Sequence, residues 1–131
     1  MNPAGSVLVD TKIVVAHFRN DPGITARLKE APAICLPWVS LGELQYGALR
    51  ARRREAQLAL IHEFLQTAVL LLPNQDTSER YGYLKAELAE AGRLIPDNDI
   101  WIAALARQHD LPLATRDAHF SVVPRLTTLA W

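Results

Sequence analysis

Asp10, Glu43, Asp99 and Asp117 are scattered along the chain, yet each stands where a strand should end or a helix should begin. Asp10 follows "SVLV", Glu43 falls in the helical stretch after "LPWVS", Asp99 opens "IPDNDIWIAALARQHD", and Asp117 closes "LATRD". A parallel α/β sheet gathers such positions along the edge formed by the carboxyl ends of its strands. Carboxylates brought together there repel one another and bind protons more tightly unless a cation neutralises them. Hard oxygen ligands suit Mg²⁺ or Mn²⁺, ions that also engage phosphate esters, so the implied chemistry is metal-assisted hydrolysis of a phosphodiester. Taken singly, each acid has a plainer use, because Asp and Glu at helix N-termini interact favourably with the helix dipole. Asp97 fits an N-cap directly and stands outside the main group as an accessory candidate.

The elements that must position these acids are visible as apolar runs. "SVLVD", "AICLPWV", "VLLLP", "LPLAT" and "LTTLAW" are short, apolar and β-rich, and most of the segments between them have helical character. That alternation predicts βα units around a mainly parallel sheet. Leu58, Ile61 and Leu65 repeat at helical spacing, as do Tyr81, Leu84 and Leu88 before Gly92, which suits a helix end. The stretch from Ile100 to Leu105 is apolar nearly all round, so its helix should lie against the sheet, with Pro96 near its start and Asp97 or Asn98 as cap.

The chain of 131 residues fits a single domain, 1–131, with a core of its own. Fourteen basic residues balance fourteen acidic ones, so no overall field draws nucleic acid or anionic membrane, and a polyanion must be met locally. The local candidates are Arg50, Arg52, Arg53 and Arg54, together with Arg116; the plainer reading of the run is a solvated helix face. Cys35 is the only cysteine and lies in an apolar run, which excludes an internal disulfide and fits a reducing compartment. Neither a leader-like segment nor an apolar run of spanning length is visible, so a cytoplasmic, membrane-free protein is expected. His17, His62, His109 and His119 lack paired metal-ligand spacing, which argues against a zinc site. Trp38, Trp101 and Trp131 read as packing groups or dimer contacts.

"VLVDT", "VSLGELQYGA", "IPDNDIWIAALA" and "LATRDAHF" follow one another over residues 7–120. In that order and at those spacings they resemble the PIN domain family, and within it the VapC-type toxins of bacterial toxin–antitoxin pairs. The resemblance implies a three-layer α/β/α sandwich with a central, mainly parallel sheet. It makes Asp10, Glu43, Asp99 and Asp117 the catalytic metal site, with Thr115 as a hydroxyl residue beside it. It further implies an endoribonuclease dependent on Mg²⁺ or Mn²⁺ that cuts RNA, in many such toxins a structured RNA such as tRNA. Homodimers are usual in the family, as is a small VapB-type antitoxin through which alone DNA is contacted.

One residue departs from the family pattern. Lys12 stands where a short polar side chain usually follows Asp-Thr. Facing inward, its ammonium would compete with a metal or contact an RNA phosphate; facing outward, it is a surface lysine. The inward competitor opens a second reading, a catalytically weak PIN domain that serves mainly as an antitoxin-binding module in a repressor complex.

Overall fold

The structure, a computed structural model, describes residues 3–131. Its strands are β1 (Val7–Val9), β2 (Ile34–Pro37), β3 (Val69–Leu71), β4 (Leu113–Thr115) and β5 (Thr128–Ala130). Its helices are α1 (Thr11–Phe18), α2 (Pro22–Glu30), α3 (Trp38–Arg50), α4 (Arg54–Leu65), α5 (Gln75–Glu90) and α6 (Asp97–Gln108), followed by a 3₁₀ turn at Ala118–Val122. The strands form one parallel sheet in the order β3-β2-β1-β4-β5. β1 lies at its centre, with Leu8 opposite Cys35 on one side and Leu113 on the other. The chain leaves β1 toward β2 and returns later to β4, so the sheet reverses its direction of winding between β1 and β4. In open α/β sheets that is where the strand ends leave a crevice.

Side chains on the strands alternate between two cores, as the period of two requires. Val7, Val9, Ile34, Leu36 and Ala114 face a cluster shared with Ile13, Val14, Ile24, Leu44 and Ile61 from the first four helices. Leu8, Cys35 and Leu113 face the opposite cluster, with Leu84 and Leu88 of α5, Ile100, Ile102 and Leu105 of α6, and Phe120. β1, β2 and β4 are buried on both faces and read as continuous apolar runs, whereas the edge strands β3 and β5 are partly exposed. The three layers expected from the resemblance are therefore present.

Helix ends follow local chemistry, with two departures from expectation. α5 closes as predicted at Gly92, whose φ of +67° lets the Arg93 amide donate to the Leu88 carbonyl at 2.8 Å. The run "AICLPWV" is strand only as far as Pro37, because Trp38 already begins α3. Pro37 has no amide proton to extend the ladder, and its fixed φ suits the entry to a helix. At α6, Pro96 takes the N-cap position without a side-chain cap, so neither Asp97 nor Asn98 caps the helix. Among the described residues no helix is long and apolar enough to cross a membrane.

Candidate metal centre

Asp10 leaves β1 in an extended conformation and caps α1, its Oδ1 accepting from the Ile13 amide at 3.1 Å. Its other oxygen, Oδ2, accepts a short hydrogen bond from the hydroxyl of Thr115 at the end of the neighbouring strand β4. The same hydroxyl accepts from the Asp117 amide at 2.9 Å. Cap and site are thus one arrangement. Capping orients the Asp10 carboxylate, and the adjacency of β1 and β4 brings it to Thr115 and Asp117.

Asp99 arrives from the opposite layer, in the first turn of α6. Its Oδ2 lies 3.1 Å from His119 Nδ1, and the same nitrogen is 3.3 Å from Asp117 Oδ1. One ligand atom each from Asp99, Asp117 and His119 falls within 4.8 Å of the others, a spacing that a single ion can bridge. Carboxylate oxygens suit Mg²⁺ or Mn²⁺, and an imidazole nitrogen among them tilts the set toward the transition ion Mn²⁺. The donor set therefore fits a divalent ion.

Glu43 completes the cleft from α3. It sits in the helix's second turn and is exposed, with Oε1 accepting from the Thr11 hydroxyl at 2.8 Å. Asp10, Glu43, Asp97, Asp99, Asp117 and His119 line a single cleft of about 520 Å³. Lys12 also lines it, and its Nζ donates to Asp117 Oδ2 at 3.3 Å. The lysine faces the acids and remains largely in solvent, at 71% exposure, against 15% for Asp117.

The carboxyls divide in their affinity for protons. Burial pushes Asp10 up, opposed by the Thr115 and Ile13 hydrogen bonds and reinforced by the charges of Asp117 and Asp99. Asp99 is also raised, first by burial and then by the charge of Asp117, against the His119 hydrogen bond. Asp117 goes down, held by the His119 amide and then by Lys12. Burial and crowded charge thus act on Asp10 and Asp99, whereas groups of positive character act on Asp117.

The accessory candidates separate. Asp97 is exposed and directed at α5, where it accepts from Lys85 Nζ at 2.8 Å and from the Tyr81 hydroxyl at 2.9 Å. Arg116 donates through Nε to the Trp131 carbonyl at 2.7 Å and through Nη1 to Asp21 Oδ2 at 3.0 Å, clamping the last residue to the N-cap of α2. Arg50 lies over the Tyr46 ring, and Arg54 donates to the Leu49 carbonyl at 3.2 Å. Arg52 and Arg53 are exposed in the turn between α3 and α4. None of the five arginines lines the acidic cleft. Thr11, which holds Glu43, and His119 are cleft residues that sequence reasoning missed. The position of His119 two residues after Asp117 was the available signal, and a search for paired histidines passes over it.

The chain is similar in sequence to proteins of known name. Ribonuclease VapC2 of Haemophilus influenzae is 34% identical over 95% of this chain and 96% of the relative. The tRNA(fMet)-specific endonuclease VapC of Shigella flexneri is 31% identical over the same shares. In structure, VapBC2 from Rickettsia felis, solved bound to a DNA fragment from their promoter, matches with a TM-score of 0.88 at 26% identity, over 96% of this chain and 98% of that one. A PIN domain profile matches residues 7–126, which takes in every acid of the cleft, and the chain belongs to the PIN domain family, in its VapC branch.

Proposed function

We propose that this chain is a divalent-metal-dependent endoribonuclease, the toxin of a toxin–antitoxin pair, hydrolysing RNA phosphodiester bonds at the four-carboxylate cleft. The observation that carries this reading is the meeting of Asp10, Glu43, Asp99 and Asp117 in one cleft, from separate elements, with His119 among them. The names of the two sequence relatives support RNA as the substrate, and that of the Shigella flexneri enzyme supports a structured RNA such as tRNA.

Asp99, Asp117 and His119 would hold the ion, with Asp10 completing the acidic wall. When bound, Mg²⁺ or Mn²⁺ supplies a water of lowered pKa and positive charge at the scissile phosphate. The chain's own residues do the rest. Thr115 fixes Asp10 and the Asp117 backbone, and Thr11 fixes Glu43 where it can accept a proton from a water on the open side of the cleft. Arg52 and Arg53 are exposed, and among the described residues their side chains have no hydrogen bond or ion pair that would compete with an RNA phosphate.

The partner in this reading is a VapB-type antitoxin, supported by the likeness to the VapBC2 structure, and DNA is met only through that partner. The working form is a cytoplasmic homodimer of single-domain chains. A second reading, a catalytically weak binding module, is favoured by one observation, the Lys12 ammonium already seated on Asp117. Incubating purified, antitoxin-free protein with tRNA across a Mg²⁺ or Mn²⁺ series separates the two. Cleavage that appears with metal and disappears with chelator supports the enzyme; intact RNA throughout, from a protein that still binds its antitoxin, supports the module.

A further inference from the structure

Lys12 is the second residue of α1, so the Asp10 cap that starts this helix also sets where the lysine stem leaves the backbone. Its ammonium meets Asp117 Oδ2, while the other oxygen of Asp117 is taken by the His119 amide at 3.0 Å. Both oxygens of Asp117 are thus engaged by positive or partly positive groups. Asp99 keeps Oδ1 without a hydrogen bond among the described residues, and Glu43 keeps Oε2 likewise. Positive charge is therefore already supplied on the Asp117 side and still wanted on the side of Asp99 and Glu43.

Charge balance turns this asymmetry into a limit on stoichiometry. Asp97 is already balanced by Lys85, so the other four carboxylates and the one ammonium leave room for one divalent ion with a small negative remainder. A second divalent ion would make the cleft positive and would have to sit beside the Lys12 ammonium.

We propose that Lys12 is a resident counter-ion standing in for a second metal, so that the cleft takes a single divalent ion and takes it more weakly than it would without the lysine. The proposal rests on the acidic cleft being a metal site, as put forward above. Lys12 acts through Asp117, as a residue that sets metal number and affinity, and touches no reacting atom.

The test is calorimetric titration of Mn²⁺ into metal-free protein, wild type against Lys12→Met and Lys12→Arg, at fixed pH and ionic strength. The side chain is largely in solvent, so its replacement leaves both cores untouched. Wild type and Lys12→Arg should bind one ion per chain. Lys12→Met should bind the first ion about tenfold more tightly and admit a second, as expected when a unit charge is removed from beside a dication. Two ions in the wild type, or one ion with the same affinity in all three proteins, would overturn the role of Lys12 while leaving the metal site standing. No binding in any of the three would overturn the metal reading itself, and the Lys12 proposal with it.

Discussion

The Thr115 hydroxyl donates to Asp10 and accepts from the amide of Asp117, so one side chain at the end of β4 holds two of the cleft's acids in register. Thr115 is buried and Asp10 is 5% exposed, so water cannot substitute freely for this bond. The pairing of β1 with β4 makes it geometrically available, and the hydroxyl makes it chemically useful.

Replacing Thr115 with Val keeps the shape and removes the hydroxyl. The Asp117 amide and the Asp10 carboxylate each lose a partner, at a cost of about 1–2 kcal/mol in stability. Loss of such a supporting bond lowers activity by about ten- to a hundredfold, and Thr115→Ser should restore most of it. Thermal unfolding and initial cleavage rates measured on the same preparations check both effects.

The metal-free protein should become more stable as pH falls from neutral. Asp10 and Asp99 hold protons more tightly folded than unfolded, so the folded state binds more protons between their raised values and the ordinary Asp value near 4. Asp117, Asp97 and Asp21 work in the opposite sense, and their contribution is lost only as pH drops below about 4. Asp10→Asn removes the Asp10 part of the first effect. In chelator this should flatten the Tm–pH curve above about pH 4, as melting curves across pH check.

Asp97 and Asp99 lie two residues apart on α6, yet their surroundings differ. Asp97 is tied to Lys85 and Tyr81 of α5, whereas Asp99 meets His119 inside the cleft. Asp97→Asn should change cleavage by no more than about threefold, as for other exposed ion pairs. A loss comparable to that of Asp99→Asn, measured under the same metal concentration, would move Asp97 into the site.

The arginines should divide in the same way. Arg52→Gln with Arg53→Gln should lower the slope of log affinity for RNA against log salt by about 1–2, since each phosphate contact contributes nearly one. Arg116→Ala should leave that slope alone and lower Tm instead, because its guanidinium joins Asp21 to the Trp131 carbonyl. Fluorescence-anisotropy titrations in chelator at several salt concentrations, with melting curves alongside, check the pair.

Much of this fold was legible because a parallel strand buried on both faces leaves an unbroken apolar run, as Val7–Val9 and Ile34–Pro37 do. The acids were legible for the same reason, as polar residues placed just past such runs or early in a helix. What the sequence hid depends on contacts between distant elements. Asp97 looks like a helix cap until α5 brings Lys85 and Tyr81 against it, and Arg116 looks free until the last residue folds back to it. His119 was hidden for a different reason, since a lone histidine gains meaning only when Asp99 arrives from another layer. The inward direction of Lys12 was likewise undecided by its place after Asp10 and Thr11, and is settled by the position of Asp117.

If a metal joins the four carboxylates, Asp99→Asn removes one of the groups that hold it. The substitution keeps the shape of the side chain and removes the charge that faces His119. Purified wild-type and variant protein, matched for folding by circular dichroism, would be assayed on the same RNA across a Mn²⁺ series. Cleavage that rises with Mn²⁺ in the wild type and falls by at least about a hundredfold in Asp99→Asn is the predicted result. Equal cleavage by the two proteins, or cleavage unchanged by chelator, would contradict it.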